Sequence, residues 1–151
     1  MKFKKILTVL FTSMLLLTFS SPIYAATGFA DTKDQAFSVQ PTAAGNYVMS
    51  MSLSNQYDVD WYKWTNNTGS DKFISTLIAV VDNSSGSKYH IGHELVYKDG
   101  RSTDIFYSYD GTGISHIYVP AGATLYIRAE SKVFVDPSIV YWLYVVNHEL
   151  N

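Results

Sequence analysis

The stretch NYVMSMSLS, residues 46–54, alternates residue by residue: Tyr47, Met49, Met51 and Leu53 share one side of an extended chain, and Val48, Ser50, Ser52 and Ser54 the other. A period of two marks a half-buried β-strand. A chain built of such runs closes its core by laying two sheets face to face or by rolling one sheet on itself. Further β-type runs cover 36–40, 59–65, 72–81, 88–98, 104–109, 114–119, 123–130 and 139–147. The clusters between them, NNTGSD, DNSSGS, KDGRS, DGTG and PAGA, supply Gly for positive φ and Asn or Asp for local side-chain hydrogen bonds. No window repeats every 3.6 residues between helix caps. About eight short strands joined by such turns predict an all-β fold, an antiparallel two-sheet β-sandwich of jelly-roll or Greek-key type. A closed barrel is the alternative topology.

The chain begins MKFKKILTVLFTSMLLLTFSSPIYA, with Lys2, Lys4 and Lys5 ahead of an apolar run that ends at Ser20, Ser21 and Pro22. A run this short, followed by small residues, reads as a secretory signal peptide over 1–25, cleaved after Ala25. One domain then fills 26–151, with no stable membrane insertion after cleavage, and the protein is expected to be secreted and extracellular. Removing the three leader lysines leaves 8 basic residues against 13 acidic ones, a formal charge of −5. That balance argues against nucleic acid as a partner. Cysteine is absent from the chain, which excludes disulfides, thiolate metal sites and a cysteine nucleophile, so stability must come from the core. Two sequons occur, at Asn66 and Asn83.

Candidate chemistry concentrates in YDVDWYKW, residues 57–64. On a strand Asp58, Asp60, Tyr62 and Trp64 share one face, and Tyr57, Val59, Trp61 and Lys63 the other. The two carboxylates would stand about 7 Å apart along the strand, a spacing that suits a shared cation or a like-charge pKa shift. The structural alternative, which we favour, has Asp60 accepting hydrogen bonds from turn amides at the strand entrance while Tyr62 and Trp64 enter the core. Trp61 would then point outward beside Tyr57, a rigid aromatic pair of the kind used to hold sugars, peptides and proteins. In HIGHE, residues 90–94, a zinc reading fails on geometry, because on a strand His90 and His93 point to opposite faces. Neither a Gly-x-Ser-x-Gly elbow nor a glycine-rich phosphate loop occurs.

Three stretches, DVDWYKWTNNTG, ISHIYVPAGATLYIRAE and VYWLYVV, together resemble the bacterial pre-peptidase C-terminal domain. Asp58, Asp60, Trp61, Tyr62 and Trp64 match its early strand; Pro120, Gly122, Tyr126 and Ile127 match its late turn and strand; Tyr141, Leu143 and Val145 approximate its closing strand. The resemblance spans 31–147 and implies a β-sandwich of the sort appended to secreted proteases and collagenases. It also implies that the acidic residue of the early strand is structural. Calcium binding in some of those domains, through acidic leader residues, makes Asp31 and Asp34 candidate ligands beside Asp58 and Asp60, oxygen donors of the type Ca²⁺ takes. The family rides on an enzyme, whereas no catalytic domain is legible in this chain.

These readings predict a secreted, non-catalytic binding module for an extracellular protein or polysaccharide, with Trp61 and Tyr57 as the ligand-binding pair and no cofactor other than Ca²⁺. Two alternatives stand beside it: a free-standing effector or inhibitor of a specific protein partner, steered by the acidic charge, and a metal-dependent hydrolase.

Overall fold

The computed structural model describes residues 28–41, 46–80, 88–108, 112–133 and 136–148. The expected leader and the Asn83 sequon lie outside these. Nine strands follow in order: β1 (Phe37–Ser38), β2 (Asn46–Met51), β3 (Val59–Thr65), β4 (Lys72–Val80), β5 (Tyr89–Val96), β6 (Phe106–Tyr107), β7 (Gly113–Val119), β8 (Thr124–Ser131) and β9 (Tyr141–His148). A single turn of 3-10 helix, Lys33–Gln35, precedes β1. Each expected run contains a strand, though β1 and β6 shrink to two residues each.

One sheet has the order β1-β3-β8-β5-β6 and the other β2-β9-β4-β7. All pairings are antiparallel except β1 with β3. Successive strands lie in opposite sheets apart from the β5–β6 pair, so nearly every turn cluster carries the chain across the sandwich.

Alternation decides what fills the space between the sheets. β8 contributes Leu125, Ile127 and Ala129, β9 Tyr141, Leu143 and Val145, and β5 Tyr89, Ile91 and Leu95, all in one buried cluster with Tyr62 and Trp64 of β3. Residues at the intervening positions point away from it. Burying a Leu, Ile or Val side chain stabilises by about 1.5–3 kcal/mol, which makes this interior the main source of stability in a chain without cysteine.

Asn66 fastens one end of the sandwich. It is fully buried, and its Nδ2 donates to the carbonyls of Ser70 and Val119, each at 2.9 Å. Its backbone N–H donates to Ala123 O and its carbonyl accepts from Gly122, both at 2.8 Å. The β3–β4 and β7–β8 crossovers are thereby tied through one side chain, and the sequon there is structural: the amide nitrogen a glycan would need is committed inside the fold. Asn66→Ala removes the buried donor from the Val119 carbonyl, whereas the Ser70 carbonyl is exposed and keeps the Thr68 hydroxyl; a buried acceptor left unpaired costs about 1–3 kcal/mol. We expect a loss of about 2 kcal/mol in urea unfolding; a loss below about 1 kcal/mol would refute the clamp.

Candidate binding face

The early strand begins at Val59, and this sets where the anticipated residues fall. Tyr57 and Asp58 precede it and escape its alternation. Tyr57 is 83% exposed on the turn, with its N–H donating to Asn55 Oδ1 at 2.8 Å. Asp58 caps the turn, its Oδ2 accepting from the Ser54 N–H at 2.5 Å and its Oδ1 from the Val59 N–H at 2.9 Å. The turn-capping role expected of Asp60 thus belongs to Asp58.

Trp61 does face away from the core, but it is only 9% exposed. Its ring meets the edge of Tyr126 at 6.5 Å, the Arg128 guanidinium lies 5.7 Å from its centroid, and its backbone N–H donates to the carbonyl of Ala30 at 2.8 Å. Neighbours on β8 and the segment ahead of β1 cover it. An open aromatic platform of Trp61 with Tyr57 therefore does not form.

Asp60 is 2% exposed. Its Oδ2 accepts from the hydroxyl of Tyr141, and that hydroxyl also lies 2.5 Å from the hydroxyl of Tyr62. Burial pushes the Asp60 carboxyl up to about 7, opposed by the Tyr141 hydrogen bond and reinforced by the charges of Asp58 and Asp31. Burial, and then the charge of Asp60, raises Tyr89 to about 12. Asp31 and Asp34 are exposed on the segment leading to β1. Among the described residues no three His, Cys, Asp or Glu side chains converge on a point that would hold a metal ion.

In HIGHE the two histidines diverge. His90 points outward, stacks on Tyr107 at 4.0 Å and lies 3.5 Å from the Glu130 carboxylate. Gly92 beside it makes room for Tyr107, since a Cβ there would stand 2.8 Å from that ring. His93 points inward, fully buried, with Nε2 2.6 Å from Thr76 Oγ1. Burial pushes its imidazole down to about 4, against a weaker opposing effect of the Phe106 backbone.

The two outer faces of the sandwich differ in chemistry. Outside β3, β8 and β5 the side chains form a polar lattice: Lys33 bonds Glu94 at 2.6 Å and sits 4.6 Å above the Tyr126 ring, while Arg128 bonds Glu130 at 2.6 Å. In the four strands of the other sheet, Lys72 is the only Lys, Arg, Asp or Glu. Outward positions there carry Val48 from β2, Trp142, Tyr144 and Val146 from β9, and Phe73 and Leu77 from β4, with Tyr118 on β7. Val48, Leu77, Tyr118 and Trp142 are each between 41% and 48% exposed.

A cavity of about 360 Å³ opens on this face between Ser75 and Leu77 of β4, Gly113 and Ile114 of β7, and Tyr144 and Val146 of β9. Gly113 lets β7 approach β4 closely beside it, because a Cβ there would meet the Thr76 carbonyl at 2.4 Å. Sequence reasoning passed over Trp142, Tyr144 and Leu77. The signal was present in IVYWLYVV, residues 139–146, where apolar residues occupy both parities of one strand. A strand of an antiparallel sheet with one wet face should alternate; a strand apolar on both sides has something to meet on each.

No protein-family model matches the chain. The search of curated proteins finds no match. Among solved structures, the chain is similar to PliG of Aeromonas hydrophila, a periplasmic lysozyme inhibitor of g-type lysozyme, at 13% identity over 75% of this chain and 96% of that one, with a TM-score of 0.44. It is similar to the pre-peptidase C-terminal domain of a collagenase from Bacillus anthracis at 14% identity over 73% of this chain and 93% of that one, with a TM-score of 0.46. The C-terminal family 22 carbohydrate binding module of Clostridium thermocellum Xyn10B matches at 12% identity over 71% and 82%, with a TM-score of 0.31. The second of these belongs to the family that the motifs of the early strand, the late turn and the closing strand resemble.

Asp60 and His93 impose opposite pH slopes on stability. With its folded value near 7 against an ordinary 3.8, Asp60 contributes stability that is complete below about pH 4 and lost as pH rises to 7. His93, near 4 against 6.5, contributes stability that is complete above pH 6.5 and lost as pH falls to 4. Each shift corresponds to about 3–4 kcal/mol, so the wild type should vary little between pH 4 and 7. Asp60→Asn should lose stability on acidification, and His93→Gln should gain it, in urea unfolding from pH 4 to 8. Parallel curves for wild type and Asp60→Asn would show that this carboxyl titrates as an ordinary one.

Proposed function

We propose that the chain is a secreted, non-catalytic binding module that holds an extracellular protein against the outer face of the β2-β9-β4-β7 sheet. The observation that carries this reading is that, among the described residues of these four strands, Lys72 is the only Lys, Arg, Asp or Glu, combined with exposed Trp142, Leu77, Val48 and Tyr118. Contiguous apolar surface on a soluble domain marks a place where something docks, and aromatic anchors dominate the energy of such contacts. Aliphatic side chains between the aromatics favour a protein over a polysaccharide, since a sugar chain needs hydrogen-bonding groups beside the stacking rings and this face offers few. The leader expected over 1–25 supports an extracellular setting. If the bound protein is an enzyme, the same contact makes the module its inhibitor, the effector reading of the sequence.

The test separates the two faces. Extracellular proteins and cell-wall polysaccharides are passed over immobilised wild type, Trp142→Ala and Trp61→Ala, after equal melting temperatures are confirmed. A central aromatic anchor typically contributes about 2 kcal/mol or more, so Trp142→Ala should weaken retention of a protein at least about thirtyfold, while Trp61→Ala should leave it unchanged. Retention of polysaccharide alone, or equal retention by Trp142→Ala, rules this assignment out.

A further inference from the structure

At one end of the proposed docking face a bulge in β7 builds a polar cluster that the apolar surface does not need. Ile74 pairs with Ile117 and Thr76 with Ile114, so Ser115 and His116 together oppose Ser75. His116 takes φ +58, a left-handed conformation uncommon for a residue with a side chain. Strained backbone persists where its surroundings hold it, and bulges re-aim side chains beside functional sites. Here the consequence is specific. The His116 N–H donates to Ser75 Oγ at 3.0 Å, Ser75 Oγ lies 2.7 Å from His148 Nε2, and the two imidazoles stack at 4.6 Å and 15°. Phe73 closes the far side, its ring 6.2 Å from that of His116. Ser75 is also a wall of the 360 Å³ cavity, so imidazole pair and apolar cavity share a boundary.

We propose that this cavity and the His116–His148 pair form one site for the end of a partner chain, taking an apolar C-terminal side chain into the cavity and its terminal carboxylate against the imidazoles. The proposal rests on the docking reading of this face and names the chemistry it recognises. Ligand pockets run from about 300 to 1,000 Å³, and a cavity at the small end suits a single large apolar side chain. Charge supplies the second half. From β4 the pair is faced by Phe73, beside the His116 ring, and by Ser75, bonded to both residues. The nearby Asp71 is already engaged by the Tyr118 hydroxyl and the Ala121 N–H, Lys72 is the one lysine of the sheet, and neither imidazole forms an ion pair among the described residues. Imidazoles gain charge between pH 8 and 5 as a class. A carboxylate brought against stacked imidazoles accepts hydrogen bonds from ring N–H groups, and such bonds are strengthened wherever a ring carries a proton.

The experiment uses the whole secreted chain and two probes, N-acetyl-Ala-Phe as free acid and as amide, titrated by NMR and calorimetry at pH 5.5 and pH 8. We expect both to shift the resonances of Leu77, Gly113 and Tyr144. The acid should bind about tenfold more tightly than the amide at pH 5.5, as one charged contact is worth, and the preference should shrink at pH 8. His116→Gln with His148→Gln should abolish the preference and leave amide binding intact. If that pair melts early, His148→Gln alone makes the comparison with the bulge undisturbed. Glu149→Gln, outside the described residues, is measured alongside to account for the neighbouring acid and should keep the preference. Equal binding of acid and amide at pH 5.5, no binding of either, or a preference surviving in the Gln variants overturns the site. A protein retained by wild type and lost by Trp142→Ala, with no acid preference, overturns the site while the docking face stands.

Discussion

Two tyrosine hydroxyls and one carboxyl hold the sandwich at its entry end. Tyr62 belongs to one sheet and Tyr141 to the other, and their hydroxyls meet over Asp60. A carboxyl taken out of water either finds donors or keeps its proton; Asp60 does some of each. The arrangement fixes more than a local contact. Tyr62 can reach Tyr141 only if β3 and β9 enter the core at the same level, so the register of each sheet is set against the other. Tyr89 packs on Tyr141 at 5.4 Å and extends the cluster to β5. Asn66 does the equivalent at the opposite end of β3. Between these fastenings the interior is mostly apolar, and the buried Thr76–His93 contact adds one further polar link from β4 of one sheet to β5 of the other.

With both ends fastened, the outer faces are free to diverge. The face of β3, β8 and β5 is largely closed on itself: Lys33 pairs with Glu94 and Arg128 with Glu130, each cation also lying beside a ring, and the segment ahead of β1 bonds the backbone of Trp61. Little of its chemistry is available to a ligand without first breaking those contacts. The face of β2, β9, β4 and β7 has no such lattice. Its central strands expose aromatic and aliphatic side chains that cost nothing to uncover, and rigid rings lose little freedom on binding.

The strands were legible because a period of two survives in a single chain, and the turn clusters marked their ends to within a few residues. Sheet membership was not, since alternation shows that a strand has an inside without showing which strand lies beside it. The parallel partnership of β1 with β3 is likewise a matter of where the chain returns. The error at YDVDWYKW has a definite cause: alternation was extended two residues ahead of Val59, which paired Tyr57 with Trp61 and gave Asp60 the work done by Asp58. Covering of Trp61 depends on Ala30, Tyr126 and Arg128, three positions remote in sequence whose convergence no local pattern encodes. The apolar outer face was readable in β9 alone, where Trp142 and Tyr144 interrupt what should have been a polar row, but its meaning required knowing that β9 is a central strand.

The bulge in β7 connects these levels. β7 is an edge strand, and an unbroken edge invites pairing with another chain. Inserting His116 at positive φ interrupts the regular ladder between β7 and β4, and the His116 amide is taken up by Ser75 Oγ. The same displacement turns the His116 ring onto His148 and requires Gly113 where β7 meets β4 again. A device that interrupts the edge therefore also lies beside the cavity wall and places an imidazole pair at the end of a surface that is largely apolar among the described residues. Guarding an edge needs only a break in the ladder or a charge, which a proline or a lysine would provide. The stacked imidazoles and the shared serine go beyond that requirement, and they lie on the side of the sheet where the apolar groups are exposed.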